Sequence, residues 1–106
     1  MYGNPQGRLN TEVQDLRRHG GRWLKDKREH AGLSQRELAE RVGAEYYTFI
    51  SQLETGRGRI PPDRYHAWAK ALRMDTRDFV RELMRFYDPV THGILFPSDG
   101  EPRDVA

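Results

Sequence analysis

Apolar positions in the middle of the chain recur with the period of an α-helix, in two short blocks. The first block contains Leu38, Ala39 and Val42 and ends at Gly43, a residue type that accepts the left-handed conformation of a helix C-terminus. The second block has four apolar positions spaced i, i+3, i+4 and i+7, and it ends at Gly56. Those positions are Tyr46, Phe49, Ile50 and Leu53. Two short helices joined by a tight turn that contains glycine are typical of a helix-turn-helix.

The start of the first helix has two local signals. Ser34 followed by Glu37 is the pattern of a capping box, in which each side chain accepts the backbone N–H of the other residue. Leu33 and Leu38 flank this box at the spacing of a hydrophobic staple. The sequence therefore predicts that a helix begins directly after Ser34.

The outer face of the second helix carries uncharged polar groups. About 100° of rotation per residue turns Tyr47, Thr48, Ser51, Gln52 and Thr55 away from the apolar stripe. Hydroxyl and amide groups bind base edges and phosphates at a small desolvation cost. An ordinary solvent-exposed polar face is the alternative, and the face alone does not decide between the two.

The sequence predicts little regular secondary structure in the N-terminal part of the chain. Residues 1–19 are predicted to form a flexible arm, in which a short helix at 11–19 is the only candidate secondary structure. The pair Gly20-Gly21 predicts a break in the chain. A helix over Arg22–His30 follows this break.

Two more helices are predicted after the helix-turn-helix. Pro62 suits the first position of a helix, and Asp75 suits the N-cap of the next one. The dipeptide Asp88-Pro89 stops that second helix. Residues 20–88 are thus predicted as one helical domain.

Residues 89–106 are predicted as a C-terminal extension. Its segment 90–96 is too apolar for a free tail, and a short strand over 92–96 is expected either to fold back or to pair with a second copy.

Composition limits the chain to one small core, since it has only 106 residues. The net charge is +2, and the excess of basic residues lies in residues 1–60. Basic residues flank the helix-turn-helix, with Arg36 in its first turn and Arg57 and Arg59 in the glycine-bearing loop behind it. Side chains in these places suit phosphate binding, and a solvated turn is the alternative. With no cysteine and no run of about 20 apolar residues, we expect a cytoplasmic protein outside the membrane.

The sequence offers no catalytic or metal-binding pattern. The four histidines lack the spacing of metal ligands, and no glycine-rich phosphate loop follows a strand. The histidines are His19, His30, His66 and His92. We expect no enzymatic activity, no metal and no cofactor.

Two motifs resemble those of a known family. Ser34-Gln35-x-x-Leu38-Ala39 and Ile50-x-x-Leu53-Glu54-x-Gly56 are similar to the lambda-repressor-like, Cro-type helix-turn-helix regulators, also called the xenobiotic-response-element family. The resemblance runs from about Trp23 to Leu83. It implies an all-α fold of five helices, and the apolar pattern predicts the same number from Arg22 onward.

The resemblance also implies roles for single residues. The residues that would face DNA bases are Tyr47, Thr48, Ser51 and Gln52. Those that would contact phosphates are Gln35, Arg57 and Arg59, with bracing of the recognition helix as the alternative role of Gln35. Apart from the resemblance, we also expect phosphate contacts from Arg36 and Tyr46. Arg28 and Glu54 would form a buried ion pair between the first and third helices. The turn is one residue longer than the family pattern, which leaves open whether Tyr46, Tyr47 or Thr48 reaches the groove.

These features together predict a sequence-specific regulator of transcription that binds double-stranded DNA as a homodimer, with its recognition helix at about 46–55 in the major groove. The alternative is an antitoxin or accessory subunit that docks on another protein through 90–96 and binds DNA only to regulate its own expression.

Overall fold

The chain is all-helical in a computed structural model that describes residues 5–97, with side chains from residue 11 onward. Within this range it forms six α-helices and one 3-10 turn, and no strand. The helices are α1 (Pro5–His30), α2 (Gln35–Val42), α3 (Tyr47–Glu54), α4 (Tyr65–Ala71), α5 (Thr76–Tyr87) and α6 (Pro89–Leu95). The 3-10 turn, Pro62–Arg64, leads into α4, so Pro62 begins a tighter turn ahead of the predicted helix. The all-α fold with its five predicted helices is confirmed, and α6 is an addition to it.

The first helix corrects the prediction for the N-terminal part. α1 runs without a break through Gly20 and Gly21, so the predicted break and the separate helix at 11–19 are wrong, and the predicted flexible arm is helical from Pro5 onward. The division of the chain into a domain at 20–88 stays a prediction. Residues 1–4 of that arm lie outside the described residues.

The two glycines serve close packing and do not interrupt the helix. A Cβ atom at Gly20 would lie 2.8 Å from Cβ of Phe86 in α5. One at Gly21 would lie 2.6 Å from the carbonyl carbon of Glu54 and 2.7 Å from the carbonyl oxygen of Leu53. Only glycine lets α1 come this near to α3 and α5. Tertiary contact therefore overrides the local preference of glycine for loops.

The C-terminal extension also differs from its prediction. Residues 92–95 belong to α6 and residue 96 follows that helix, so the predicted strand at 92–96 is wrong. The side chain of Asp88 accepts the backbone N–H of Thr91 at 3.2 Å, and Pro89 occupies the first turn. The Asp-Pro pair that ends α5 therefore also starts α6, because an Asp N-cap followed by proline is a helix-start signal.

The core lies where α1 crosses α3 and α5. Its largest fully buried side chains come from five helices and the loop after α3. They are Trp68, Phe79, Leu24, Leu38, Ile50, Leu53, Ile60 and Leu83. Trp23 stacks on Phe79 with ring centroids 5.7 Å apart, which joins α1 to α5. This core holds α3 from behind and leaves its outer face to solvent.

Candidate nucleic-acid interface

The helix-turn-helix is built by local hydrogen bonds at both ends of α2. The N–H of Glu37 donates to Oγ of Ser34 at 3.0 Å, and the N–H of Ser34 donates to Oε1 of Glu37 at 2.9 Å. Hydrogen bonds from Ser34 hold the pKa of the Glu37 carboxyl below its ordinary value. Gly43 ends the helix with a φ of +70°. The predicted capping box and glycine turn are therefore present: the box fixes where α2 begins, and Gly43 ends α2 before the turn that leads to α3.

The start of α3 differs from the predicted apolar stripe. Tyr46 has an extended backbone, precedes the first helical residue Tyr47, and is 66% exposed. The prediction that it packs inward is wrong, because the longer turn puts it outside the helix. Ile50 and Leu53 are buried, whereas Phe49 is half-buried.

The outward side chains of α3 are available for a ligand. Tyr47, Thr48 and Gln52 are exposed and Ser51 is half-buried. The Gln52 amide makes no hydrogen bond to any other described residue. Thr55 is different, because its hydroxyl lies 3.1 Å and 3.0 Å from the carbonyl oxygens of Ser51 and Gln52 and caps the helix end.

Arg36, a predicted phosphate contact, lies beside Tyr47, a predicted base contact. The guanidinium carbon of Arg36 is 4.7 Å from the centre of the Tyr47 ring. Arg36 belongs to the first turn of α2 and is exposed. A cation over an aromatic face is attracted by the ring quadrupole, so this contact places a positive charge at the start of α3.

A buried ion pair holds the other end of α3. Arg28 on α1 donates to Glu54 through Nε at 2.6 Å and through Nη2 at 3.1 Å, and its Nη1 donates to the carbonyl oxygen of Leu33 at 2.8 Å. The hydrogen bonds to Glu54 raise the pKa of the Arg28 guanidinium. Burying two charges costs about as much as their attraction returns, so the pair serves orientation more than net stability.

Gln35 joins this network. Its Nε2 donates to Oε1 of Glu54 at 3.1 Å, which links the first turn of α2 to the last turn of α3. The contact favours the bracing role of Gln35, and its contact with phosphate stays a prediction. Three helices thus meet at one carboxylate.

The loop behind α3 carries the remaining predicted phosphate contacts. Gly56 and Gly58 have φ values of +90° and +72°. A Cβ at Gly56 would lie 2.9 Å from the backbone nitrogen of Arg18, so α1 passes directly beside this loop. Arg57 and Arg59 are exposed on it.

Tyr87 holds the loop from the side of α5. Its hydroxyl accepts the backbone N–H of Ile60 at 3.2 Å, and burial raises the pKa of the phenol. The guanidinium carbons of Arg59 and Arg17 lie 5.0 Å and 5.4 Å from the ring centre. Arg17 also donates to the carbonyl oxygen of Gly58 at 3.2 Å. The sequence carries no signal for these contacts of Tyr87, because its partners lie far away along the chain.

Comparison with known proteins agrees with this geometry. A helix-turn-helix family model matches residues 24–79, which is more than half of the chain. The match leaves out α6, most of α5 and the first part of α1. No curated protein matches the chain. In the described part of the sequence, no helix is long and apolar enough to cross a membrane, and no three acidic or histidine side chains form a metal-binding group. The chain belongs to the Cro/C1-type, lambda-repressor-like helix-turn-helix family of DNA-binding regulators.

Proposed function

We propose that this chain is a sequence-specific regulator of transcription that inserts α3 into the major groove of double-stranded DNA. The observation that carries the proposal is the contrast between the two sides of α3. The inner side is fixed by core residues and the Arg28–Glu54 pair. The outer side presents hydroxyl and amide groups, and the amide of Gln52 has no partner among the described residues. A helix held this way reads base edges through Tyr47, Thr48, Ser51 and Gln52.

The phosphate contacts would flank α3 at both ends. Arg36 and Tyr46 lie at its start, and Arg57 and Arg59 lie on the loop behind it. Cations in these places neutralise phosphates and release counterions, which makes binding depend on salt. Contacts at both ends also set the register of α3 on the duplex.

The protein acts as a homodimer in this proposal. Regulators with this motif bind two half-sites about 34 Å apart, because this distance brings the same groove to the same side of the duplex. The test is selection of bound sequences from random duplex DNA, and we expect a recovered site with two inverted half-sites. Failure to form any complex with long random duplexes at low ionic strength would refute DNA binding itself.

Replacement of Gln52 by alanine tests base readout. A bidentate amide–adenine contact contributes about 1–3 kcal/mol of discrimination, so Gln52→Ala should lose roughly that much affinity for the selected site. Its affinity for unrelated duplex should stay near the wild-type value, as measured by competition binding at constant salt. An equal loss on both duplexes would contradict base readout by Gln52.

Replacement of Arg57 by glutamine tests the phosphate contact. The variant should bind selected and unrelated duplexes more weakly to a similar degree, and the slope of log K against log salt should fall by about one. Arg77→Gln is the matched control, since Arg77 is exposed at the start of α5, outside the candidate interface. If both variants lower the slope of log K against log salt to the same degree, the change reflects the lost net charge, and Arg57 makes no direct contact with a phosphate.

A second candidate function is an accessory subunit of the antitoxin kind. The exposed apolar residues of α6 are the observation that favours it. Co-purification with a different chain in fixed stoichiometry, lost on mutation of α6, would support that function.

A further inference from the structure

Two arginines from distant parts of the chain lie against one tyrosine ring. The guanidinium carbons of Arg17 on α1 and Arg59 on the loop behind α3 lie 5.4 Å and 5.0 Å from the ring centre of Tyr87 on α5. The two carbons can be no farther apart than the sum of these distances, which is about one Debye length at roughly 0.1 M salt. Two positive charges at this separation repel each other, so the fold has to hold them together.

The described residues leave this pair of charges without a neutralising partner. Neither arginine forms an ion pair with any of them, whereas Arg18, the next residue on α1, pairs with Asp15. Asp88 acts on Arg59 only at longer range. Hydrogen bonds from Thr91 are the main cause that holds the pKa of the Asp88 carboxyl below its ordinary value, and the charge of Arg59 adds a smaller effect. The positive charge beside the Tyr87 ring therefore favours an anion.

The two arginine side chains are held in a way that keeps N–H groups available. Arg17 donates from Nη1 to the carbonyl oxygen of Gly58 at 3.2 Å, while its Nε is buried and has no hydrogen-bond partner among the described residues. Nη2 of Arg17 and the whole guanidinium of Arg59 have no acceptor among these residues either. A guanidinium that lies over an aromatic ring uses its face, so its N–H edge stays available for a phosphate.

Tyr87 also fixes the loop that carries Arg59. Its side chain is only 8% exposed, and its hydroxyl accepts the backbone N–H of Ile60. The bond from Arg17 to Gly58 ties the same loop to α1. Since this loop follows the last turn of α3 directly, both guanidinium groups are attached to the end of the helix that we propose to read DNA.

We propose that Arg17 and Arg59 together bind one phosphate of the DNA backbone, and that Tyr87 is the residue that positions them. The proposal rests on the proposed function and extends it to α1 and α5, because Arg17 and Tyr87 both lie outside the family match at 24–79. A phosphate between two guanidinium groups offsets their repulsion and accepts charge-assisted hydrogen bonds from both. Contact with the backbone at this point would help to set the register of α3 on the duplex.

The first experiment measures how duplex binding depends on salt after one or both charges are removed. A phosphate that keeps one arginine still releases its counterion, so Arg17→Gln or Arg59→Gln alone should lower the slope of log K against log salt by less than about half a unit. The double variant should lower it by about one, on selected and unrelated duplexes alike. The matched control, Arg18→Gln with Arg77→Gln, removes two exposed charges elsewhere and should leave the slope nearly unchanged.

Tyr87 provides a test in which the net charge stays the same. Tyr87→Phe keeps the ring beside both guanidinium groups and should keep the wild-type slope. Tyr87→Leu removes the ring and should lower the slope by about one, like the double arginine variant. A role in stability alone would lower the thermal unfolding midpoint of Tyr87→Leu and leave the slope unchanged. If Tyr87→Leu does not fold at the assay temperature, the two exposed-charge double variants decide the phosphate site.

Each other outcome counts against a named part of the proposal. A fall of about one in each single arginine variant and about two in the double variant would mean two separate phosphates, and would overturn the shared site. An unchanged slope in the double variant, or an equal fall in the control pair, would overturn it as well. An unchanged slope in folded Tyr87→Leu would refute the positioning role of Tyr87.

Failure of DNA binding itself gives a different result. If the wild-type protein binds no duplex, the proposed function fails, and inorganic phosphate becomes the probe of the site. Phosphate should then raise the thermal unfolding midpoint of the wild type above its value in chloride of equal ionic strength, and the double variant of Arg17 and Arg59 should lose this rise. No rise, or an equal rise in both proteins, would show that the two arginines do not hold an anion.

Discussion

Gly21→Ala should lower the free energy of unfolding by at least about 3 kcal/mol, as measured by urea denaturation. The added methyl group would overlap the carbonyl groups of Leu53 and Glu54, which belong to the backbone of α3 and cannot rotate away. α1 would have to move off α3, and the core between them would open. The free energy of unfolding of a small domain is only about 5–15 kcal/mol, so a loss of this size leaves the variant marginally stable.

Gly93→Ala is the matched control for that substitution. Both glycines lie inside helices, but a Cβ at Gly93 meets nothing within 4 Å. Alanine there should raise the free energy of unfolding by about 0.5–1 kcal/mol through better helix propensity. Changes of opposite sign in the free energy of unfolding would establish that contact with α3 makes Gly21→Ala destabilising, and that a general property of glycine does not. A Gly21→Ala protein within 1 kcal/mol of wild type would show that α1 and α3 are not packed this closely.

Glu54→Gln should lower the free energy of unfolding by about 3–5 kcal/mol. The side chains of Arg28 and Glu54 are only 9% and 3% exposed, so the variant leaves a guanidinium buried without its counter-charge. Glu82→Gln is the control, because Glu82 pairs with Arg85 on the surface of α5 at 3.0 Å, with 40% of its side chain exposed. That substitution should change stability by no more than about 1 kcal/mol.

A double variant distinguishes the effect of the unpaired buried charge from the effect of the buried side-chain volume. Arg28→Met with Glu54→Leu replaces both charges by apolar groups and should recover a large part of the loss seen for Glu54→Gln. Recovery should be incomplete, because the carbonyl oxygen of Leu33 and the amide of Gln35 each lose a hydrogen-bond partner. Full loss in the double variant would mean that these two hydrogen bonds, and not the unpaired charge, account for the effect.

Elements with local signals were predictable from the sequence. The start of α2 depends on Ser34 and Glu37, three residues apart, and its end depends on Gly43. Asp75 likewise caps α5, where its Oδ2 accepts the N–H of Asp78 at 3.1 Å. In each case the residues that decide the conformation are neighbours along the chain.

Features that depend on distant neighbours were missed. Gly20 and Gly21 look like a break because the residues that require them, Phe86 and Glu54, lie more than thirty positions away. The contacts of Tyr87 with Arg17 and Ile60 leave no local pattern either. α6 differs from these, since Asp88 and Pro89 carry a local helix-start signal, whereas the prediction from the sequence uses this pair only as the end of α5.

The glycine contacts in α1 have a consequence for control of this regulator. α1 has 26 residues, and its backbone touches the last turn of α3 at Gly21 and the following loop at Gly56. A small molecule that tilted α3 alone would push the Glu54 carbonyl into the backbone of α1 at Gly21. α1 and α3 are therefore expected to move as one rigid body. Regulation of this protein is therefore expected to change the number of copies available, and not the orientation of α3, the proposed recognition helix.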